Sequence, residues 1–135
     1  MSPKSIIYVL VVFLALSSCN EINTTDNEEA FENWIGVKSG SEVEVLQTKY
    51  WQSAHWTKEY IAFIKIKPSD EWWSQFIEQN GLMLDTSKWI SPSEKPKWFA
   101  PSRSSKSYSL DDDYSNSRYF HDSLTGVCYI YEIQL

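Results

Sequence analysis

Two histidines and the acids near them are the residues of this sequence most suited to acid–base chemistry. His121 is followed directly by Asp122, the pairing of a general base with an acid that could orient it. Neighbouring residues of a strand point to opposite faces, so the two side chains cannot easily hydrogen-bond to each other within a hairpin. His55 is distant in the sequence, and no serine stands in a nucleophile-elbow context. We therefore expect His55, His121 and Asp122 to be surface or hairpin residues, with no catalytic residue in the chain.

Oxygen ligands for a cation are suggested only loosely, by an acidic run near the C-terminus. Asp111, Asp113, Ser115 and Asp122 fall at positions one, three, five and twelve of a calcium-loop pattern. The sixth position is Asn116 where that loop needs glycine, and Asp122 replaces the usual bidentate glutamate. A zinc site lacks ligands, because the histidines are far apart and the spare cysteine is alone. We expect a solvated turn, no metal and no cofactor.

Three aromatic residues between positions 85 and 107 are the candidate binding residues. Trp89, Trp98 and Phe99 lie in a segment without periodicity, which three prolines interrupt. Rings held on a stiff loop can stack on sugars or anchor a protein partner. The same rings can instead cover the open side of a sheet, which a small domain needs. We favour the covering role and keep the binding role as the alternative.

The first nineteen residues have the organisation of an export signal. Lys4 provides a short basic start, and residues 6–16 form an uncharged run that is almost wholly apolar. This run is shorter than the roughly 20 residues that span a bilayer, but it suits the apolar part of a secretory signal. Two serines and Cys19 follow it directly.

Leu16-Ser17-Ser18-Cys19 resembles the lipobox of bacterial lipoproteins, in which a branched apolar residue and two small residues precede a cysteine. The resemblance implies that Cys19 takes a diacylglyceryl group, that cleavage falls before Cys19, and that the new amino group is often acylated. Such an anchor is stable because each buried methylene adds about 0.8 kcal/mol. By the sorting rule of enteric lipoproteins, Asn20 implies the outer membrane, facing the periplasm or the cell surface. The resemblance covers residues 1–19 only.

Composition favours a folded domain and argues against nucleic acid as a partner. The chain has 135 residues, of which 16% are aromatic, whereas disordered chains are poor in aromatic residues. The formal charge is −6, and loss of Lys4 with the signal would make it −6 − 1 = −7. This charge argues against binding to nucleic acid or anionic lipid. Cys128 would have no partner within the chain and is expected to be buried.

Local patterns predict two hairpins and a helix. Alternation over 42–51 and the apolar run at 60–66 predict an antiparallel hairpin whose second strand is central. Ser69, with acids after it, predicts the start of a helix that ends at Asn80-Gly81. Residues 118–133 predict a terminal hairpin. These elements indicate an α+β domain, a small antiparallel sheet of about four strands packed by one main helix.

We expect three parts in the chain. Residues 1–18 form the lipoprotein signal peptide, residues 19–33 the lipidated cysteine and a flexible acidic tether, and residues 34–135 a single globular domain. The tether is expected because residues 20–33 contain five acids and no base.

These features together predict a lipid-anchored lipoprotein of the cell envelope with a small non-enzymatic binding domain. Its partner would be an envelope protein or a glycan, as for an immunity or exclusion factor, and the lipid on Cys19 would hold it at the membrane. The alternative is a hydrolase of envelope polymers that uses His121 and nearby acids.

Overall fold

The computed structural model describes residues 20–57, 59–111 and 115–135, so the predicted signal peptide, lipobox and lipidated Cys19 lie outside the described residues. Within them, seven strands and two helices follow one another. The strands are β1 (Ile22–Thr24), β2 (Val43–Gln52), β3 (Tyr60–Pro68), β4 (Met83–Leu84), β5 (Lys106–Ser109), β6 (Arg118–His121) and β7 (Cys128–Gln134), and the helices are α1 (Asn27–Ile35) and α2 (Asp70–Gln79). In this part of the chain no helix has the length and apolar character needed to cross a membrane.

One antiparallel sheet contains all seven described strands, in the order β1-β2-β3-β7-β6-β5-β4. The predicted β2–β3 and β6–β7 hairpins are present. The strand predicted to be central, β3, lies between β2 and β7, with Ala62 opposite Tyr50 on one side and Glu132 on the other. Its apolar run is explained by this position, since β3 is covered on both faces.

The predicted fold class, an α+β domain with about four strands packed by one main helix, is wrong. The described chain is mostly sheet, with seven strands and two short helices. β1, β4 and β5 contain only three, two and four residues. Strands that short give no alternating pattern to read, so the sequence indicated a smaller sheet than the one that forms.

The predicted flexible tether is also wrong, because residues 22–35 belong to the folded domain. Asp26 is the N-cap of α1, and its carboxylate accepts a hydrogen bond from the backbone amide of Glu29 at 2.9 Å. Acids in the first turn of a helix interact favourably with the helix dipole. On the other side of α1, Ala30 and Phe31 are buried in the core. Three of the five acids, Asp26, Glu28 and Glu29, therefore stabilise the start of a helix.

The helix predicted after Ser69 is present as α2. The Ser69 side chain accepts a hydrogen bond from the backbone amide of Trp72 at 3.1 Å. Gly81 follows the helix with a positive φ of 61°, a conformation that glycine adopts without steric cost. The helix buries Trp73 and Phe76 against the sheet.

The two faces of the sheet are covered differently. On one face, Ile64, Cys128 and Ile130 pack with side chains of both helices. Cys128 is a free and fully buried cysteine, as predicted, and burial raises the pKa of its thiol. On the opposite face, Phe63 and Tyr131 pack against the irregular segment between β4 and β5. The sheet is thus the middle of three layers.

Candidate functional site

The candidate binding residues Trp89, Trp98 and Phe99 lie together on the sheet face opposite the helices. Phe99 is 0% exposed, and its ring meets Phe63 edge-on with 5.4 Å between centroids. Trp98 is half-buried, and its ring centroid lies 6.0 Å from that of Phe99. The Phe99 side chain therefore has no free surface to offer a partner.

Trp89 packs over several rings of the same cluster. Its centroid lies 5.9 Å from that of Phe99, 5.3 Å from Phe120 and 5.6 Å from Tyr131. Its indole Nε1 donates to the backbone carbonyl of Asn116 at 3.2 Å. Both the ring and the polar atom of Trp89 thus make contacts within the domain, and the segment acts as a cover for this face.

His121 and Asp122 make separate interactions. The His121 ring stacks on Trp73 with 5.3 Å between centroids and 18° between planes, and burial lowers the pKa of His121. Asp122 accepts hydrogen bonds from Ser102 Oγ at 2.8 Å and from the Leu124 amide at 2.9 Å, and these bonds lower its pKa. Asp122 is thus held in the turn after β6, where it does not orient the imidazole.

His55 lies at the other end of the sheet from His121. The exposed turn that contains His55 precedes Tyr60, the first residue of β3. His121 pairs with Cys128, which pairs with Ile66 near the opposite end of β3. The two histidines therefore do not meet in one site.

The loose calcium pattern gains no ligand cluster in the structure. Asp113 lies outside the described residues, and Asp122 is engaged with Ser102. Among the residues that the structure describes, no group of three His, Cys, Asp or Glu side chains is placed to hold a metal ion.

A mostly buried ion pair holds the start of residues 85–105, which we call the cover segment, against the sheet. Arg118 is 7% exposed and donates to the Ser87 carbonyl and to Ser107 Oγ, both at 3.0 Å. Its Nη2 lies 3.4 Å from Asp85 Oδ2. Hydrogen bonds from Ser87, supported by one from Ser109, lower the pKa of Asp85 to about 2. These contacts hold the residues that follow β4 against β6, and we assign them a structural role.

Glu132 is a candidate functional residue that no sequence pattern indicated. It lies on β7 and shares the helix-facing side of the sheet with Cys128 and Ile130. The hydroxyls of Tyr60 and Tyr119 both donate to its carboxylate, that of Tyr119 at 2.7 Å. The signal that could have marked it is an acid at the core-facing position of a buried strand, since such a charge needs partners.

The two tyrosines stay protonated beside this carboxylate. Burial is the largest cause that raises the pKa of Tyr60 and Tyr119, and interaction with Glu132 raises both further. Neutral hydroxyls are hydrogen-bond donors, so the two tyrosines fix the position of the Glu132 carboxylate.

Glu132 lines two open clefts. One, of about 430 Å³, is also lined by the rings of Trp34, Trp72 and Phe76 and by polar side chains of α2. The second, of about 420 Å³, is lined by Tyr60 and Tyr119 and by the end of β7. We call the first the Glu132 cleft, because it places that carboxylate beside aromatic rings.

The rings of the Glu132 cleft form a connected set. Trp72 and Phe76 stack with 5.2 Å between centroids and 8° between planes. Trp34 meets Phe76 at 5.6 Å and 59°. Both tryptophans remain partly exposed. Aromatic faces next to a carboxylate are the surroundings that an organic cation prefers.

Comparisons with known proteins do not name this arrangement. The sequence matches no protein-family model and no curated protein, and the fold matches no solved structure.

Proposed function

We propose that this protein is a lipoprotein of the cell envelope, anchored through Cys19 in the outer membrane, whose domain is a non-enzymatic binding module for a protein partner. The anchor is supported by the lipobox-like end of the apolar run. The binding role rests on one observation, the Glu132 cleft, where Trp34 and Trp72 lie with a carboxylate that two hydroxyls hold in place.

The cleft chemistry favours a lysine or arginine side chain of the partner. A cation over an aromatic face gains about 0.5–2 kcal/mol, and more when water is excluded. An ionised carboxylate has about four lone-pair sites, so Glu132 can accept further hydrogen bonds besides those from Tyr60 and Tyr119. The formal charge of −6 would also attract a basic partner and speed association. Sugars stack on aromatic rings as well, but an uncharged sugar gains no ionic attraction from the Glu132 carboxylate.

A hydrolytic role for His121 finds less support. The His121 ring stacks on Trp73, and the Asp122 carboxylate is bonded to Ser102 and Leu124. A general base has to be presented to the group from which it takes a proton. Neither side chain lines the Glu132 cleft.

The anchor is tested by metabolic labelling with a fatty acid. Wild-type protein should take up the label and fractionate with membranes, whereas Cys19→Ser should stay unlabelled and unprocessed. Cys128→Ala is the matched control and should be labelled normally, since Cys128 is buried in the domain. A Cys19→Ser protein that is cleaved before residue 19 would contradict the anchor.

The cleft is tested by calorimetry on the purified lipidated protein in detergent. An arginine–glycine peptide should bind, and Glu132→Gln should weaken that binding about tenfold, which corresponds to about 1.4 kcal/mol. Glu78→Gln is the control, because Glu78 is an exposed acid of α2 that does not line the cleft. An equal loss of affinity in both variants would show that net charge, and not the Glu132 cleft, attracts the peptide. Binding of an uncharged envelope glycan instead would favour the glycan alternative.

A further inference from the structure

The turn between β2 and β3 carries an unusually exposed aromatic side chain. Trp56 is 97% exposed, more than any other large apolar residue in the described part of the chain. Its ring packs against no other described ring. Ala54, His55 and Thr57 beside it are also exposed and carry no negative charge, while the acid of this turn, Glu59, is partly buried immediately before β3. The tip of this turn therefore presents a large amphipathic ring to solvent, where another surface can contact it.

The pairing of β1 with β2 places the start of β1 beside this turn. Ile22, the first residue of β1, lies opposite Gln52, the last residue of β2. Glu21, one residue earlier, accepts a hydrogen bond from the indole Nε1 of Trp51 at 2.6 Å. The turn begins at the residue after Gln52. The chain therefore enters the domain at the end of the sheet where Trp56 lies.

The site of lipidation is covalently close to the same point. Cys19 precedes Ile22 by three residues, and three residues span at most about 11 Å even when fully extended. Because β1 is fixed in the sheet, no long tether separates the lipid from the domain. If Cys19 carries the anchor of the proposed function, on which this step rests, the bilayer surface lies within reach of the turn.

We propose that Trp56 enters the bilayer interface beside the lipid on Cys19 and that this second contact fixes how the domain faces the membrane. The amphipathic ring of tryptophan is enriched at membrane–water interfaces, where one side is apolar and the other wet. The acidic chain has no electrostatic attraction to anionic lipid. The partner surface is therefore zwitterionic lipid, and the contact does not depend on salt.

The inference is tested with the full lipidated protein in phosphatidylcholine vesicles that carry bromine-labelled acyl chains. Bromine quenches tryptophan emission only at short range, so a tryptophan in the interface loses emission relative to unlabelled vesicles. Quenching in Trp56→Phe should be half that of wild type or less. Trp98→Phe is the matched control, and its quenching should equal that of wild type. Trp98 packs on Phe99, whose ring centroid lies 5.4 Å from that of Tyr129. Tyr129 pairs with Lys65, towards the end of β3 away from the Trp56 turn.

A second variant tests whether the quenching depends on the position of the tryptophan or only on the number of tryptophans in the protein. Leu124 is 83% exposed in the turn between β6 and β7. That turn lies at the other end of β3, because Cys128 pairs with Ile66. Leu124→Trp added to Trp56→Phe should therefore not restore the quenching. Restoration would show that the domain has no fixed orientation and would overturn the inference.

Fatty-acid labelling of each variant distinguishes failure of this inference from failure of the proposed function. Labelled protein in which wild type and Trp56→Phe are quenched equally would overturn the membrane contact alone. Unlabelled wild-type protein would overturn the anchor and this inference with it. Quenching that disappears in 1 M salt would also overturn the inference, because an interfacial tryptophan contact should survive screening.

Discussion

Tyr119 donates its hydroxyl hydrogen to Oε2 of Glu132 at 2.7 Å, from the strand next to the one that carries the acid. Tyr60 donates to the other carboxylate oxygen from the strand on the opposite side. A carboxylate at a core-facing position is costly unless it is hydrogen-bonded, and these two bonds offset that cost. The same bonds fix the carboxylate at the Glu132 cleft, so one arrangement serves both the stability of the sheet and the proposed binding site.

The tyrosines around Glu132 predict a loss of stability in alkali. Burial and then Glu132 raise the pKa of Tyr119 and Tyr60, and they raise that of Tyr50 to about 12. The unfolded chain, with tyrosine pKa values of about 10, therefore loses these protons first. The stability that these tyrosines give the fold is fully present below pH 10 and is lost as the pH rises towards their folded-state pKa. Urea unfolding from pH 8 to pH 11 should show this decline in free energy.

The control for the alkaline prediction is Tyr119→Phe, which keeps the ring and removes one titrating hydroxyl. Its free energy of unfolding should fall less steeply above pH 10 than that of wild type. Identical slopes in the two proteins would mean that Tyr119 is not the group responsible.

The N-terminal segment predicts that a fragment of residues 34–135 is much less stable than one of residues 20–135. The shorter fragment lacks β1 and all of α1 except Trp34 and Ile35, and so loses the buried Ala30 and Phe31. Removing one buried phenylalanine side chain costs about 3–5 kcal/mol, whereas a whole domain has about 5–15 kcal/mol. Thermal melts of the two fragments should differ by many degrees, or the shorter one should show no transition.

A point variant of the longer fragment shows whether the lost stability comes from the buried Phe31 side chain or from deletion of the segment as a whole. Phe31→Ala should lower the melting temperature strongly, while Glu32→Ala, at an exposed position of the same helix, should change it little. Equal melting temperatures for residues 20–135 and 34–135 would restore the tether interpretation.

Elements specified by neighbouring residues could be predicted, whereas α1 could not. The sequence predicts α2 because its N-cap, Ser69, and the glycine that follows its end, Gly81, lie close together in the chain. In α1 the same kind of signal was present, with Asp26 as the cap. Five acids without a base indicated a solvated segment, however, and the burial of Phe31 depends on strands that come later in the chain. The overall acidic composition of residues 20–33 therefore outweighed the local signal for the N-terminus of α1.

The Glu132 site depends on contacts that no spacing in the sequence reveals. Tyr60 is separated from Glu132 by 72 positions and Tyr119 by 13. The face of β7 that carries Glu132 could be read from alternation, but its tyrosine partners follow from the strand order β3-β7-β6. That order could not be derived, because the pairing of β3 with β7 joins two separate hairpins through residues at least 62 positions apart, the nearest in sequence being Ile66 and Cys128.

Asp85 predicts a loss of stability in acid. Hydrogen bonds from Ser87 lower its pKa to about 2, below the roughly 3.9 of an unfolded aspartate. A lowered folded-state pKa contributes stability that is present above pH 4 and is lost as the pH falls towards 2. Urea unfolding of wild type between pH 5 and pH 2 should show this loss, and Asp85→Asn should lack part of it. The same pH dependence in both proteins would assign the effect to other carboxylates, such as Asp122, whose pKa is also lowered.

The cover segment predicts different outcomes for two adjacent aromatic residues. Phe99→Ala should cost about 3–5 kcal/mol, because its ring is fully buried. At roughly 4 °C for each kcal/mol, that is a fall of more than 10 °C in melting temperature. Trp98→Ala should lower it by only several degrees, since Trp98 is half-buried, and the exposed neighbour Lys97→Ala should leave it unchanged. Thermal melts, compared with assays of partner binding, distinguish a role of Trp98 in covering the sheet from a role in recognising a partner. A Trp98→Ala protein that melts like wild type but no longer binds its envelope partner would make Trp98 a binding residue.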